Sequence, residues 1–237
     1  MLVDDFDGTY YTQAKVDKNV LIAGQAGSRE LPGAVLFWGE IEVTEQVIAY
    51  QKRDMTDQRI IDTTSLDLPE QTFSTQALWL SIPGPVIEGA LTHLASDAQG
   101  AASGGEGPRG VETVTPGSLH GAEHALIALL PLYAMCDRWD IGGLSTPWHW
   151  QTDTASIFVY DGYPGGIGLS RRGYEAFESL AADARTLIAA CPCESGCPSC
   201  VQSPKCGNLN EPLHKAGSIA LLQALLQGAA GPASTAD

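Results

Sequence analysis

A chain of 237 residues with 44% hydrophobic and 17% charged side chains can bury a sizeable core and fits one large domain or two small ones. Its net charge of −15 argues against a protein that grips nucleic acid by a basic face of its own. The absence of any run near ~18 apolar residues argues against a membrane-spanning helix. The acidity is uneven. Residues 1–100 hold 6 basic and 15 acidic side chains, a net −9, whereas the last 77 residues hold a net −2. Any nucleic-acid contact must therefore be local, or come from a neighbouring domain. The start, MLVDDFDGTYYTQ, is acidic where a secretory signal is basic and then apolar; it reads as the cut end of a longer chain.

The pattern predicts an α+β fold. In the first part, residues 1–95, Thr9 to Ile22, Ala34 to Tyr50, Ile60 to Leu66 and Thr75 to Ile82 read as strands, rich in β-branched and aromatic residues. An antiparallel sheet is the natural arrangement. A helix follows from Gly84 or Pro85 to Asp97. Residues 96–117, rich in Gly, Ala and Ser, read as a flexible loop within one compact domain. Ser118 looks like the N-cap of the helix LHGAEHALIALLPLYAM, which Pro131 should kink or end. The second part, 118–228, should be mostly helical around a short sheet. SIFVYD (156–161) is its buried strand, the turn GYPGGIG follows, and a helix runs from Leu169 to Ala190. A last helix is bracketed by Pro212 and Gly228. The tail 229–237 reads as disordered.

Five of six cysteines fall in CPCESGCPSCVQSPKC, residues 191–206. Such clustering marks a metal site better than a disulfide framework, and fits a reducing cytoplasm. Four thiolates suit tetrahedral zinc and leave no open position, so the site should be structural, with one ion per chain. The last four cysteines, Cys193, Cys197, Cys200 and Cys206, are the favoured ligands. Cys191 is the alternative to Cys193 as first ligand, because five candidates compete for four places. Two disulfides, redox thiols or an iron–sulfur cluster are the competing readings.

These residues and several upstream stretches form a longer pattern. CPCESGCPSCVQSPKCGNLNEPLHKAGSIALL, HGAEHALIALLPLYAMCDRWDIGGLS, IFVYDGYPGGIGLSRRGYE, EVTEQVIAYQKR and LDLPEQTFSTQALW together resemble the C-terminal zinc-binding accessory domain of superfamily 2 DNA helicases of the mitomycin repair factor A / SftH family. The resemblance covers roughly residues 9–228. It implies a parent ATP-driven 3′-to-5′ helicase linked to DNA repair, with two RecA-like motor domains N-terminal to this region. This domain would pack on the motor and help guide single-stranded DNA in a bacterial, nucleoid-associated setting. The family pattern gives the zinc ligands as Cys193, Cys197, Cys200 and Cys206. The chain departs from a whole helicase in having no G-x-x-x-x-G-K-[ST] loop and no acidic motor box. It is therefore expected to be an accessory domain and not an enzyme by itself.

Further clusters have functional and plain readings. Gly165, Gly166 and Gly168 lead into a helix start, where unpaired N–H groups bind anions. With Arg171 and Arg172 in the first turn they could meet a DNA phosphate; a tight structural turn is the plainer reading. Lys205 is a weaker candidate for the same role. Trp148, His149 and Trp150 could stack on bases or fill a core. His120, Glu123 and His124 spell H-x-x-E-H, which in a zinc-dependent hydrolase supplies two metal ligands and a base. A third, acidic ligand would be needed, with Glu175, Glu178 and Glu194 available; a structural helix face is the plainer reading. A protein-interaction module that does not touch DNA is the remaining alternative.

Overall fold

The computed structural model describes residues 9–57, 59–97 and 110–228. Strands β1 (Tyr10–Leu31) and β2 (Ala34–Asp54) form a long antiparallel hairpin closed at Pro32-Gly33. Strand β3 (Ile60–Ser65) and strand β4 (Gln71–Ile82) follow, then helices α1 (Gly84–Asp97), α2 (Val111–Leu129) and the one-turn α3 (Pro131–Ala134). Strands β5 (Ile141–His149) and β6 (Thr154–Asp161) form a second hairpin. Helices α4 (Leu169–Glu175), α5 (Phe177–Ala190) and α6 (Lys215–Gln227) complete the described chain. The fold is α+β, as the patterning predicts.

All six strands share one antiparallel sheet in the order β1-β2-β4-β6-β5, with β3 taking over the edge of β2 where β4 ends. The short sheet expected in the second part is thus no separate unit: β6 pairs with β4 from Ala77–Tyr160 to Ile82–Ala155. Period-two alternation explains why. On β4, Leu78, Leu80 and Ile82 face the helices, while Ala77 and Trp79 face the other side. On β6, Ile157 and Val159 alternate in the same way with Phe158 and Tyr160. A strand buried on both faces must lie inside a sheet.

The second face is covered because the sheet curls toward a barrel. Val20 of β1 joins Ile41, Val43, Trp79, Phe158 and Tyr160 in a small core, where Trp79 stacks between Phe37 and Phe158. The two edge strands meet through side chains. Gln151 accepts from Ile22 N at 2.7 Å and donates to Ile22 O at 3.0 Å, imitating a strand neighbour. His149 Nε2 lies 3.0 Å from Val20 O.

Helix α2 is the hub. It starts at Val111 after Gly110, seven residues before Ser118. Ser118 is not an N-cap: it sits mid-helix, fully buried, with its hydroxyl donating to Val114 O at 2.7 Å. Pro116 lies inside this helix, where it forfeits one backbone hydrogen bond. Residues 111–117 of the expected loop are therefore helical, while 98–109 and the tail 229–237 lie outside the described residues. Pro131 does end α2. The expected single helix 169–190 is broken at Ala176 into α4 and α5, and α6 starts after His214, whose Nδ1 accepts from Gly217 N.

Helices α2 and α6 cross at very small residues. A Cβ on Gly117 would come within 2.9 Å of the Leu213 carbonyl carbon, and a Cβ on Gly121 would collide with Ser218 Oγ. Ser218 Oγ in turn donates to Ser118 O at 3.0 Å. Gly121→Val should therefore push the helices apart and cost roughly 1–3 kcal/mol, measured as a lowered urea midpoint with an unchanged m-value.

Candidate metal centre

The end of α5 and the turn after it build a thiol cluster. Cys191 follows the last helical residue, with its N–H donating to Ile188 O. Gly196, at φ 122°, allows the reversal that brings Cys197 and Cys200 back beneath it. The turn is closed by Cys200 N donating to Cys197 O at 3.0 Å. The four sulfurs of Cys191, Cys193, Cys197 and Cys200 lie within 4.8 Å of one another. Four of their separations are 3.6, 3.5, 3.5 and 3.8 Å. A tetrahedron of thiolates about 2.3 Å from zinc has edges of about 3.8 Å, so the cluster already has the size of a zinc site. Cys197 N also donates to Cys200 Sγ at 3.3 Å. Lys215 Nζ donates to the Cys191 and Cys193 carbonyls, fixing the strand that carries two of the thiols to the start of α6. Burial raises the Cys200 thiol to about 12. At Cys193 burial also works upward but is outweighed by hydrogen bonds from Cys200, Cys191 and Cys197, which bring it to about 7.

Cys206 is not brought to this cluster; Cys191 takes its place. The reason is the loop that follows Cys200. Ser203 N donates to Asn210 Oδ1 at 2.7 Å, and Asn210 Nδ2 donates to Ser203 O at 3.1 Å, pinching off residues 203–210. That loop lies along β1, with Val16 N donating to Gly207 O, and it delivers Cys206 to the face of α2. There Cys206 Sγ lies 3.2 Å from His120 Nε2 and accepts from Asn210 N at 3.3 Å. One donor atom each from His120, His124 and Cys206 fall within 4.8 Å, all three residues buried. Burial raises the Cys206 thiol, but hydrogen bonds from His120 and His124 outweigh it and hold it at about 6. Burial lowers His120, but its bond to Cys206 outweighs this and raises it to about 9.

None of the three carboxylates considered as partners of the H-x-x-E-H helix is grouped with its histidines. Glu175 is paired with Arg171 and Arg172, and Glu178 with Arg29; Glu194 sits in the cysteine turn. The third donor beside the histidines is a thiol. The surplus cysteine in the 191–206 segment was the signal for it.

The helix start after GYPGGIG is already filled. Asp161, fully buried at the end of β6, accepts from the N–H groups of Ile167, Gly168, Leu169 and Ser170 at 2.6–3.1 Å. The Gly165 and Gly166 amides donate to Ser74 O and Tyr163 O. A phosphate there would have to displace an internal carboxylate. Lys205 points inward, its ammonium donating to the Arg138 and Ile141 carbonyls, and burial lowers it to about 8. Arg171 and Arg172 remain on the surface, each side chain 62% exposed. Trp148 and Trp150 are also exposed, whereas His149 between them is buried.

The four-cysteine cluster that follows α5 fits zinc, and residues 122–201 match the family model of the MrfA Zn-binding domain. The chain belongs to this family. It is 39% identical over 111 residues to the uncharacterized protein MJ1572.1 of Methanocaldococcus jannaschii, covering 99% of that protein and 46% of this chain. It is 30% identical over 195 residues to the uncharacterized ATP-dependent helicase YprA of Bacillus subtilis, covering 82% of this chain. Among solved structures it is similar to the DUF1998 helicase MrfA bound to DNA, with a TM-score of 0.59, 29% identity and 93% of this chain covered. The chain spans 23% of YprA and 26% of the MrfA chain. No helix among the described residues is long and apolar enough to cross a membrane.

Proposed function

We propose that this chain is the zinc-binding accessory domain of an ATP-dependent DNA helicase, holding one structural zinc on Cys191, Cys193, Cys197 and Cys200. The carrying observation is that nearly the whole chain superposes on about a quarter of a DNA-bound helicase, while its own sequence has no phosphate-binding loop. The domain docks on RecA-like motor domains of the same parent chain. The exposed apolar side chains Leu132, Met135 and Trp139, within eight residues of sequence, are a surface suited to such docking. The domain helps guide single-stranded DNA moving 3′ to 5′ during repair, and the acidity of this chain leaves most phosphate binding to the motor.

The test is DNA-stimulated ATP hydrolysis and strand separation by the intact parent protein, with this chain alone as control. The parent should hydrolyse ATP in response to DNA and the chain alone should not. ATP hydrolysis by the isolated chain, or a parent indifferent to DNA, would overturn the reading. For the local contact, Arg171→Ala with Arg172→Ala in the parent should weaken single-strand affinity several-fold at low salt and flatten its salt dependence. Unchanged affinity and slope would remove these arginines from the DNA path. Trp148→Ala should lower affinity without changing the salt slope if the indole stacks on a base.

A further inference from the structure

We propose that His120, His124 and Cys206 form a second metal site, separate from the four-thiolate cluster, that takes a borderline-soft divalent cation of the zinc class. The donor set is built for this. His120 and His124 lie four residues apart on α2, which puts both rings on one face; their centroids are 4.3 Å apart. His120 Nδ1 is 2.8 Å from Pro212 O and His124 Nδ1 is 2.7 Å from Val201 O. A carbonyl only accepts, so both Nδ1 atoms carry hydrogen. The Nε2 of each ring is left to face the site, and His120 Nε2 does so at 3.2 Å from Cys206 Sγ. Imidazoles held through Nδ1–H by backbone carbonyls are the usual outer support of metal-ligating histidines. The thiol has matching support, accepting the N–H of Asn210.

Two nitrogens and one sulfur from the protein leave a fourth tetrahedral position. It faces a cavity of about 190 Å³ that His120, His124 and Cys206 line together with Glu123 and Ser145. The position is therefore reachable by water or a small ligand. Bound there, the ion would tie the middle of α2 to the 203–210 loop and, through Val16 and Gly207, to the edge of the sheet. The two sites have no ligand in common, so this inference stands whether or not the parent is a helicase.

The test is metal analysis of the intact protein equilibrated with micromolar zinc and desalted, on wild type, Cys206→Ser, His124→Gln and Cys197→Ser. Wild type should hold two equivalents in this domain beyond any bound elsewhere in the parent, and each variant one. Cobalt substitution separates the sites without a variant. One equivalent should show the strong charge-transfer absorption of four thiolates, and the other a weaker band from one thiolate with two nitrogens. The weaker spectrum should vanish in Cys206→Ser and persist in Cys197→Ser. Wild-type saturation with a single four-thiolate spectrum would overturn the site, as would a second equivalent that survives both Cys206→Ser and His124→Gln.

Discussion

Cys191→Ser should release the zinc of the thiolate cluster, whereas Cys206→Ser should leave that ion in place. Cys191 Sγ lies 3.6 Å from Cys193 and 3.5 Å from Cys197, at edge length for a shared tetrahedral ion. Cys206 lies instead against His120. Serine is a much poorer zinc donor than thiolate and leaves three ligands, so affinity should fall by orders of magnitude. The 191–202 segment has few apolar side chains, and structural zinc is worth roughly 10 kcal/mol in segments of this kind. Even a ~4 kcal/mol share of that reaching global stability would lower Tm by about 10 °C in a domain of this size. The check is zinc content with thermal unfolding, each variant compared with wild type under chelator. Zinc lost in Cys206→Ser and kept in Cys191→Ser would instead favour the spacing-based ligand set that includes Cys206.

That contrast shows which parts of the molecule were legible in the sequence. Zinc was legible because thiol-rich, core-poor segments have few other uses, and the family resemblance was legible because long stretches carried it together. Which four of five cysteines meet was not: spacing favoured Cys206 and left Cys191 only as an alternative to Cys193. What separates them is the Ser203–Asn210 clasp and the helix end at Ala190, both set by contacts between segments. The strands of the first half were legible from alternation at Ile41–Val43 and in TQALWLSI. The joining of β6 to β4 was not, since SIFVYD reads only as buried and does not name its partner. The α2 start was obscured by the Gly-, Ala- and Ser-rich run before Ser118; burial of Val114, Leu119 and Ala122 in the core favours helix there. The glycine turn had two readings in the sequence, a tight structural turn or an anion site at a helix start. The free N–H groups are there, but the carboxylate that fills them lies at the end of β6.

Asp161→Ala should be among the most destabilising single substitutions in the chain. Oδ2 accepts from Ile167, Gly168 and Leu169 at 2.6, 2.7 and 3.1 Å, and Oδ1 accepts from Ser170 at 2.7 Å. The residue is fully buried. Alanine would leave four N–H groups without their acceptor at a helix start, where the helix itself supplies none. Unsatisfied buried donors cost about 1–3 kcal/mol each, and water entering the gap would recover part of that. A net loss of roughly 3–5 kcal/mol is expected, read as a lowered urea midpoint. Asp161→Asn keeps one acceptor oxygen but turns an NH₂ toward donors, so it should fall between alanine and wild type. Gly168, at φ 91°, sets the turn that aims these amides, and Gly168→Ala should add about 1 kcal/mol of strain independently. Because Arg171 and Arg172 lie in the turn that Asp161 anchors, Asp161→Asn in the parent protein should also weaken single-strand binding if those arginines touch DNA. Weakened binding that the arginine double variant does not reproduce would place the DNA contact elsewhere on this turn.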